Sequence, residues 1–403
     1  MSYAQSASLT IFAWILGGVL TICAGLTSAE LATAIPKTGG AIKYIEYTYG
    51  KLPGFLLGWA QSIIYFPANI AALSIIFSTQ FIHLFHFSDD FLLPVAIGTG
   101  LTVTIINLLG TKIAANVQSF TLIVKMIPII VIVVAGLFMP ATTEVSLFPV
   151  VAGKNVGFIQ GLSGALLATM FAYDGWLGVG NVAGEMKRPE KDLPKAIVFG
   201  LLFITGIYAL INFVFLKTLP IEAIAGNKNA ASDASTIIFG LIGGKIVTIG
   251  ILISVYGALN GYTMTGIRVP YALALEKMIP FSGYFSKLSK RFTVPYVAGL
   301  FQFFIAVVMM FLGTFDLLTD MLVFVMWLFS ILIFLAVFIL RKREPDLLRP
   351  YKVPFYPVIP IVAIIGGLFI LVTTLFTQPF LALTGILITL LGVPVYFFQQ
   401  SKA

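Results

Sequence analysis

Three ionisable side chains fall inside long apolar stretches: Glu30, Lys125 and Asp174. A charge in hydrocarbon is costly, so it marks either a structural pair or a solute path. Lys125 lies twelve residues into an apolar block that starts at Ile113, about 18 Å along a helix rising ~1.5 Å per residue. A lysine stem of about 6 Å is too short to carry the ammonium to the interface. Two roles remain. It pairs with backbone carbonyls for structure alone, or its ammonium stands where a coupling cation would sit.

Asp174 lies near the middle of a block at 157–184, in Phe171-Ala172-Tyr173-Asp174-Gly175-Trp176. Glycines punctuate this block at Gly157, Gly161, Gly164, Gly175, Gly178, Gly180 and Gly184. The four-residue spacings Gly157 to Gly161 and Gly180 to Gly184 read as close helix contacts. They leave unexplained an acid followed by Gly and Trp at mid-depth, which reads as an interrupted helix. Unwinding frees carbonyls and amides, tolerated only where they line a cavity. Half-helix ends then offer dipoles to a small charged solute.

Glu30 falls five residues before the hairpin Ile35-Pro36-Lys37-Thr38-Gly39-Gly40. It can reach the interface or pair with a loop lysine, and is expected to be structural. His83 and His86 have no third ligand in view, so no metal site is expected. No His-Glu-x-x-His, Gly-x-Ser-x-Gly or Walker pattern occurs, and hydrolase and ATPase readings lack their parts. No cofactor motif is expected either.

These residues must be positioned by membrane helices. Hydrophobic residues make up 59% of the 403 and charged residues only 10%, too few to cover a soluble surface. Continuous apolar runs of about twenty residues mark helices, not barrel strands. They predict eleven spans, at 9–35, 53–82, 92–109, 113–139, 157–184, 196–216, 244–275, 294–312, 317–340, 358–376 and 380–398. The fold class is thus an all-α polytopic membrane protein, a single transmembrane domain over 1–403. The outer connection from Lys217 to Gly243 is expected to carry a short helix. The lone cysteine, Cys23, excludes an internal disulfide and a thiolate cluster.

The net charge of +8 is scattered between apolar blocks, so a nucleic-acid partner is not expected; the lipid bilayer is. Of the 24 Lys and Arg, only Lys154, Lys217, Lys228 and Lys245 fall in one set of alternate loops, and Lys125 is within a span. All the others fall in the opposite set, which the positive-inside rule places in the cytoplasm. The C-terminus is then expected inside and, with eleven spans, residue 1 outside. A further span ahead of Met1 would restore an even count, which leads to the expectation of a truncated or late-called start.

The 171–176 segment, followed by Ala183-Gly184-Glu185-Met186-Lys187-Arg188-Pro189-Glu190-Lys191-Asp192-Leu193-Pro194, closely resembles the L-amino acid transporter family. That family belongs to the amino acid–polyamine–organocation superfamily. The stretches 29–40 and 199–213, Tyr256-Gly257-Ala258-Leu259-Asn260-Gly261 and Val353-Pro354-Phe355-Tyr356-Pro357 match in order as well. The resemblance implies twelve helices with an inverted five-plus-five repeat. Here 9–139 would be the remainder of the first repeat, 157–340 the second, and 358–398 two additional helices. The family's first helix, whose Gly-Ser-Gly amides hold the substrate carboxylate, would be missing.

The resemblance further implies that the carbonyls of Phe171, Ala172 and Asp174 accept from a substrate ammonium. Substrate binding would thus rest on Phe171, Ala172, Tyr173, Asp174, Gly175 and Trp176, with the Phe171 and Trp176 rings shaping the pocket or its outer gate. Lys125 would be the surrogate of a coupling ion, joining the 113–139 helix to the 244–275 helix. The outer loop at 83–90 lacks the cysteine used by some relatives, so no disulfide-linked ancillary subunit is expected. The implied activity is sodium-independent exchange of small neutral amino acids such as serine and threonine across the cell membrane, without catalysis. The alternatives are a proton-coupled symporter or uniporter, for which Asp174 is the one plausible titrating group, and a truncated permease without function.

Overall fold

Apolar side chains on all sides of a helix suit a segment surrounded by lipid and other helices, because each backbone group is satisfied internally. The computed structural model describes residues 1, 3–35, 39–154, 156–176 and 188–401. The hairpin residues 36–38, the glycines at 178, 180 and 184, and the motif residues 183–187 lie outside the described residues. No strand occurs among the described residues.

The chain opens with α1 (Ala7–Ala34), whose N-cap Ser6 accepts from the Leu9 amide, and the short α2 (Ala41–Tyr49). Next, α3 (Lys51–Ala60) passes through a π-turn at Gln61–Tyr65 into α4 (Phe66–Phe85). Then come α5 (Leu92–Leu108), α6 (Thr111–Phe138) and α7 (Phe158–Ala172). They are followed by α8 (Pro189–Thr218), α9 (Ile221–Ile224) and α10 (Ala230–Gly266). After α11 (Arg268–Leu275) and α12 (Ser282–Phe285) run α13 (Tyr296–Leu312) and α14 (Phe315–Arg343). The last three are α15 (Val358–Thr377), α16 (Pro379–Leu390) and α17 (Gly392–Gln400).

Nine helical stretches among the described residues are long and apolar enough to cross a bilayer, and α7 and α13 are shorter apolar helices. Each of the eleven expected blocks therefore contains helix, but several limits move. α8 begins at Pro189, not at 196, because proline suits the first helical position and Glu190 and Asp192 complement its N-terminus. α10 begins at Ala230 instead of 244, with a kink at Gly240 (φ 73°). Its Ser-rich start is helical because Ser232 hydrogen-bonds Thr248 and Ser235 donates to the Ala231 carbonyl. The 380–398 block is divided between α16 and α17.

The helices close on one another through glycine. A Cβ on Gly18 would lie 2.2 Å from Oγ1 of Thr205, which brings α1 against α8. One on Gly257 would lie 2.3 Å from Oγ1 of Thr121, joining α10 to α6. Of the expected pair Gly157 and Gly161, only Gly161 makes such an approach; open space surrounds Gly157. The next contact is instead Gly164, whose Cβ would lie 2.6 Å from the Tyr3 ring. α14 is a largely enclosed span that packs on α4, α7 and α15, with Phe324, Phe334 and Val337 buried.

Polar contacts gather the loops at two ends. At one, Lys43 bridges Glu46 and Glu276 at 2.7 Å, and Arg343 donates to the Thr48 and Tyr47 carbonyls. Here Glu30 differs from expectation. It is 1% exposed and pairs with arginines, not with a loop lysine. Arg341 grips it with Nε 2.8 Å from Oε1 and a second nitrogen 2.5 Å from Oε2, while Arg349 stands at 3.6 Å and the Val353 amide donates at 2.7 Å. A buried carboxylate needs this many donors to offset its desolvation. At the other end, Lys217 caps the carbonyls of Gly136 and Leu137, Lys228 faces Asp316, and Tyr3 donates to Asp320.

Candidate functional site

The span expected at 157–184 is described as far as Trp176, and its helix stops at Ala172. Tyr173 to Gly175 form a turn in which Gly175 adopts φ +103°, a conformation that side chains with a Cβ rarely take. The acid, the glycine and the loss of helix coincide, within an apolar run. The last carbonyls of α7 lack helical partners and carry the negative end of its dipole.

The segment radiates toward four surroundings instead of lining one wall. The Phe171 ring meets Phe315 edge-on at 5.7 Å, at the start of α14. Tyr173 is buried the other way, its hydroxyl donating to the Trp14 carbonyl at 2.8 Å beside Tyr208. Asp174 turns toward the π-turn and α10: its Oδ2 accepts from the Tyr65 hydroxyl at 2.5 Å and the Tyr262 hydroxyl at 2.9 Å. The Gly175 amide also donates to this carboxyl. Trp176 packs on α14 with ring centroids 6.4 Å from Trp327 and 6.0 Å from Phe334, well along α14 from Phe315. Phe171 and Trp176 thus face different levels of the same helix.

Two of the three carbonyls singled out from sequence already have partners. The Phe171 carbonyl accepts from the Asp174 amide at 3.3 Å, and that of Ala172 from the Tyr208 hydroxyl at 3.1 Å. A carbonyl oxygen has two lone pairs, so that of Ala172 retains one for a further donor, whereas that of Phe171 also faces the Tyr173 amide. Tyr65 and Tyr262 lie outside the matching stretches, and Tyr208 lies within 199–213 without having been singled out. The signal that could have found them is a phenol at mid-span, whose hydroxyl must find an acceptor when buried.

The π-turn explains how Tyr65 reaches Asp174. The Phe66 amide bonds Gln61, five residues back, and the extra residue re-aims the helix face at a functional position. Tyr262 is fixed through Asn260, two residues earlier. The Asn260 amide donates to the Ala114 carbonyl at 3.0 Å and to Gln118 at 3.1 Å, while Asn107 donates to its oxygen at 3.0 Å. This buried network clamps α10 to α5 and α6.

Lys125 is half-buried on α6. It borders a cavity of about 80 Å³ with Pro128 on its own helix, Ile211 and Phe215 on α8, and Ile251 and Ser254 on α10. Its ammonium has no hydrogen bond or ion pair among the described residues. The structure thus sets it beside a cavity that α10 also borders, with no bond between them among the described residues. His83 and His86 line a separate surface hollow with Asp89 and Asn229, and among the described residues no group of three or more His, Cys, Asp or Glu is placed to hold a metal.

Comparison with known proteins agrees with this architecture. The chain is 42% identical, over its whole length and 91% of the relative's, to the serine/threonine exchanger SteT of Bacillus subtilis (strain 168). It is 29% identical to the human cystine/glutamate transporter, over 97% of this chain and 78% of that one. It is 28% identical to the mouse Asc-type amino acid transporter 1, over 100% of this chain and 77% of that one. The amino acid permease family model matches residues 2–398. With its apolar helices and that match over nearly the entire chain, the protein is a multi-pass membrane protein of the amino acid permease family.

Proposed function

We propose that the chain is a sodium-independent exchanger of small neutral amino acids, serine and threonine foremost, working by alternating access across the cell membrane. The observation that carries this reading is the end of α7 at Ala172 inside an apolar run, with a carboxylate held beside it. A helix C-terminus presents partial negative charge to an ammonium, and free backbone groups read what all amino acids share. Full-length identity to a serine/threonine exchanger supports the substrate class. In this reading Phe171, Ala172, Tyr173, Asp174, Gly175 and Trp176 form one wall of the site, and Lys125 supplies the positive charge that a coupling ion supplies elsewhere. The Lys- and Arg-rich end that contains Lys43, Arg341 and Arg343 faces the cytoplasm, which puts the C-terminus inside and residue 1 outside. The segments 9–139 and 157–340 act as the two inverted repeats.

The test is uptake of labelled serine into proteoliposomes. Serine-loaded vesicles are expected to take it up at least about tenfold faster than empty ones, with no response to sodium. Equal rates in loaded and empty vesicles, or uptake driven by an imposed proton gradient, would replace exchange by uniport or proton coupling.

A further inference from the structure

Between α11 and α13 the chain forms a connection with two unlike faces. One face is anchored to the bundle. Ile279 is buried beside Phe55, Leu273 and Tyr396, with Met278 and Phe285 packed around them. The Phe285 ring meets Phe301 edge-on at 5.0 Å. The Ser289 amide donates to the Val294 carbonyl at 2.9 Å, and the Thr293 amide to that of Ser289 at 3.0 Å, which closes the loop on itself.

The other face is open. Phe281 is 75% exposed and Tyr284 60%. Leu288 is exposed as well, and so are Lys277, Lys287, Lys290 and Arg291. No Asp or Glu occurs from Lys277 to Pro295, and Glu276, just before it, is held by Lys43 at 2.7 Å. None of the four cations is in an ion pair among the described residues. Lys287 lies over the Tyr284 ring at 4.4 Å and Arg291 over that of Phe292 at 5.2 Å, so rings and charges are displayed together.

Exposed rings interleaved with unneutralised cations have one environment that satisfies both: the boundary between acyl chains and anionic headgroups. The connection joins two apolar helices, so it stays at the bilayer surface, where lipid is always within reach. We propose that the 277–291 face docks on anionic phospholipid headgroups. Lys277, Lys287, Lys290 and Arg291 take the phosphates, and Phe281, Tyr284 and Leu288 seat at the acyl boundary. Clusters of about four to eight basic residues beside a membrane helix bind anionic lipid in this way.

The test is hydrogen–deuterium exchange of the full chain in nanodiscs of phosphatidylcholine, or of an equal mixture with phosphatidylglycerol. Amides of 277–291 are expected to exchange slower in the mixture by about fivefold or more, the worth of roughly one headgroup contact. The variant K277Q/K287Q/K290Q/R291Q is expected to lose that difference while the remainder of the chain exchanges as before. Glycerol phosphate added to pure phosphatidylcholine discs should give no protection. Equal exchange in both lipids would overturn the proposal and leave the face to an acidic protein. Protection that survives in the fourfold variant, or that free glycerol phosphate reproduces, would overturn it too.

Discussion

The Tyr65 hydroxyl stands 2.5 Å from Oδ2 of Asp174, and the Tyr262 hydroxyl reaches the same oxygen at 2.9 Å. Three segments meet at that atom: the π-turn before α4, the end of α7, and α10. Among the described residues the carboxylate is in no ion pair, and it is held by phenols and the Gly175 amide instead. Hydrogen bonds to a charged group contribute about 1.5–3 kcal/mol each. Tyr65→Phe is therefore expected to lower the initial rate of serine exchange by about ten- to a hundredfold at equal protein per vesicle. Tyr262→Phe should do the same. A rate within about twofold of the parent would show that the bond does not set the geometry of the break.

Glu30 and Arg341 form the other buried charge contact. Removing one partner of such a pair costs about 3–5 kcal/mol, because the remaining charge stays buried alone. Glu30→Gln is expected to lower the thermal midpoint in detergent by roughly 5 °C or more. Adding Arg341→Gln to Glu30→Gln should lower it by less than the sum of the single effects, since the two side chains share one contact. Strict additivity in the double variant would show that the contact is not energetically coupled.

Glu344, at the end of α14, accepts from the Tyr47 hydroxyl at 2.6 Å. That bond, with help from Arg343, holds its carboxyl below the ordinary value of 4.5. A group whose pKa is depressed on folding binds fewer protons folded than unfolded. Its stabilisation is complete above the unfolded value near 4.5 and is lost as pH falls through the lower, folded value. The thermal midpoints of the parent and of Tyr47→Phe should therefore differ by a constant amount at neutral pH and converge on acidification below 4.5. A gap that widens in acid would contradict the assignment.

The end of α7 just before Asp174 was legible because its signal is local: an acid, a glycine and a tryptophan in consecutive positions of an apolar run. The spans were legible for the same reason, since hydrocarbon thickness imposes a run length on each. The partners were not. Tyr65 lies 109 residues from Asp174 in the chain and Tyr262 lies 88 away, and a single tyrosine in a membrane helix is ordinary. Arg341 is 311 residues from Glu30, so a nearby lysine was the natural expectation. The start of α10 was hidden because Ser232 and Ser235 read as loop until their hydroxyls are seen bonded within the protein.

Lys125 separates a structural role from a functional one. It makes no hydrogen bond among the described residues, and its cavity neighbours Ile211, Phe215 and Ile251 are apolar. Were its task to hold α6 to α10, truncation would loosen the fold. Yet the α6–α10 contact is already secured elsewhere, through Gly257 against Thr121 and through Asn260 against Gln118. Lys125→Ala is therefore expected to leave the thermal midpoint within about 2 °C of the parent. It should lower serine exchange by at least about tenfold, the effect of losing roughly 1.4 kcal/mol at the rate-limiting step. A large drop in midpoint with proportionate loss of exchange would make the lysine a structural strut, and unchanged exchange would remove it from the transport cycle. Lys125→Arg offers the same charge in a wider fork, so partial recovery of exchange would show that the positive charge in this cavity, beside Ser254, is what the cycle uses.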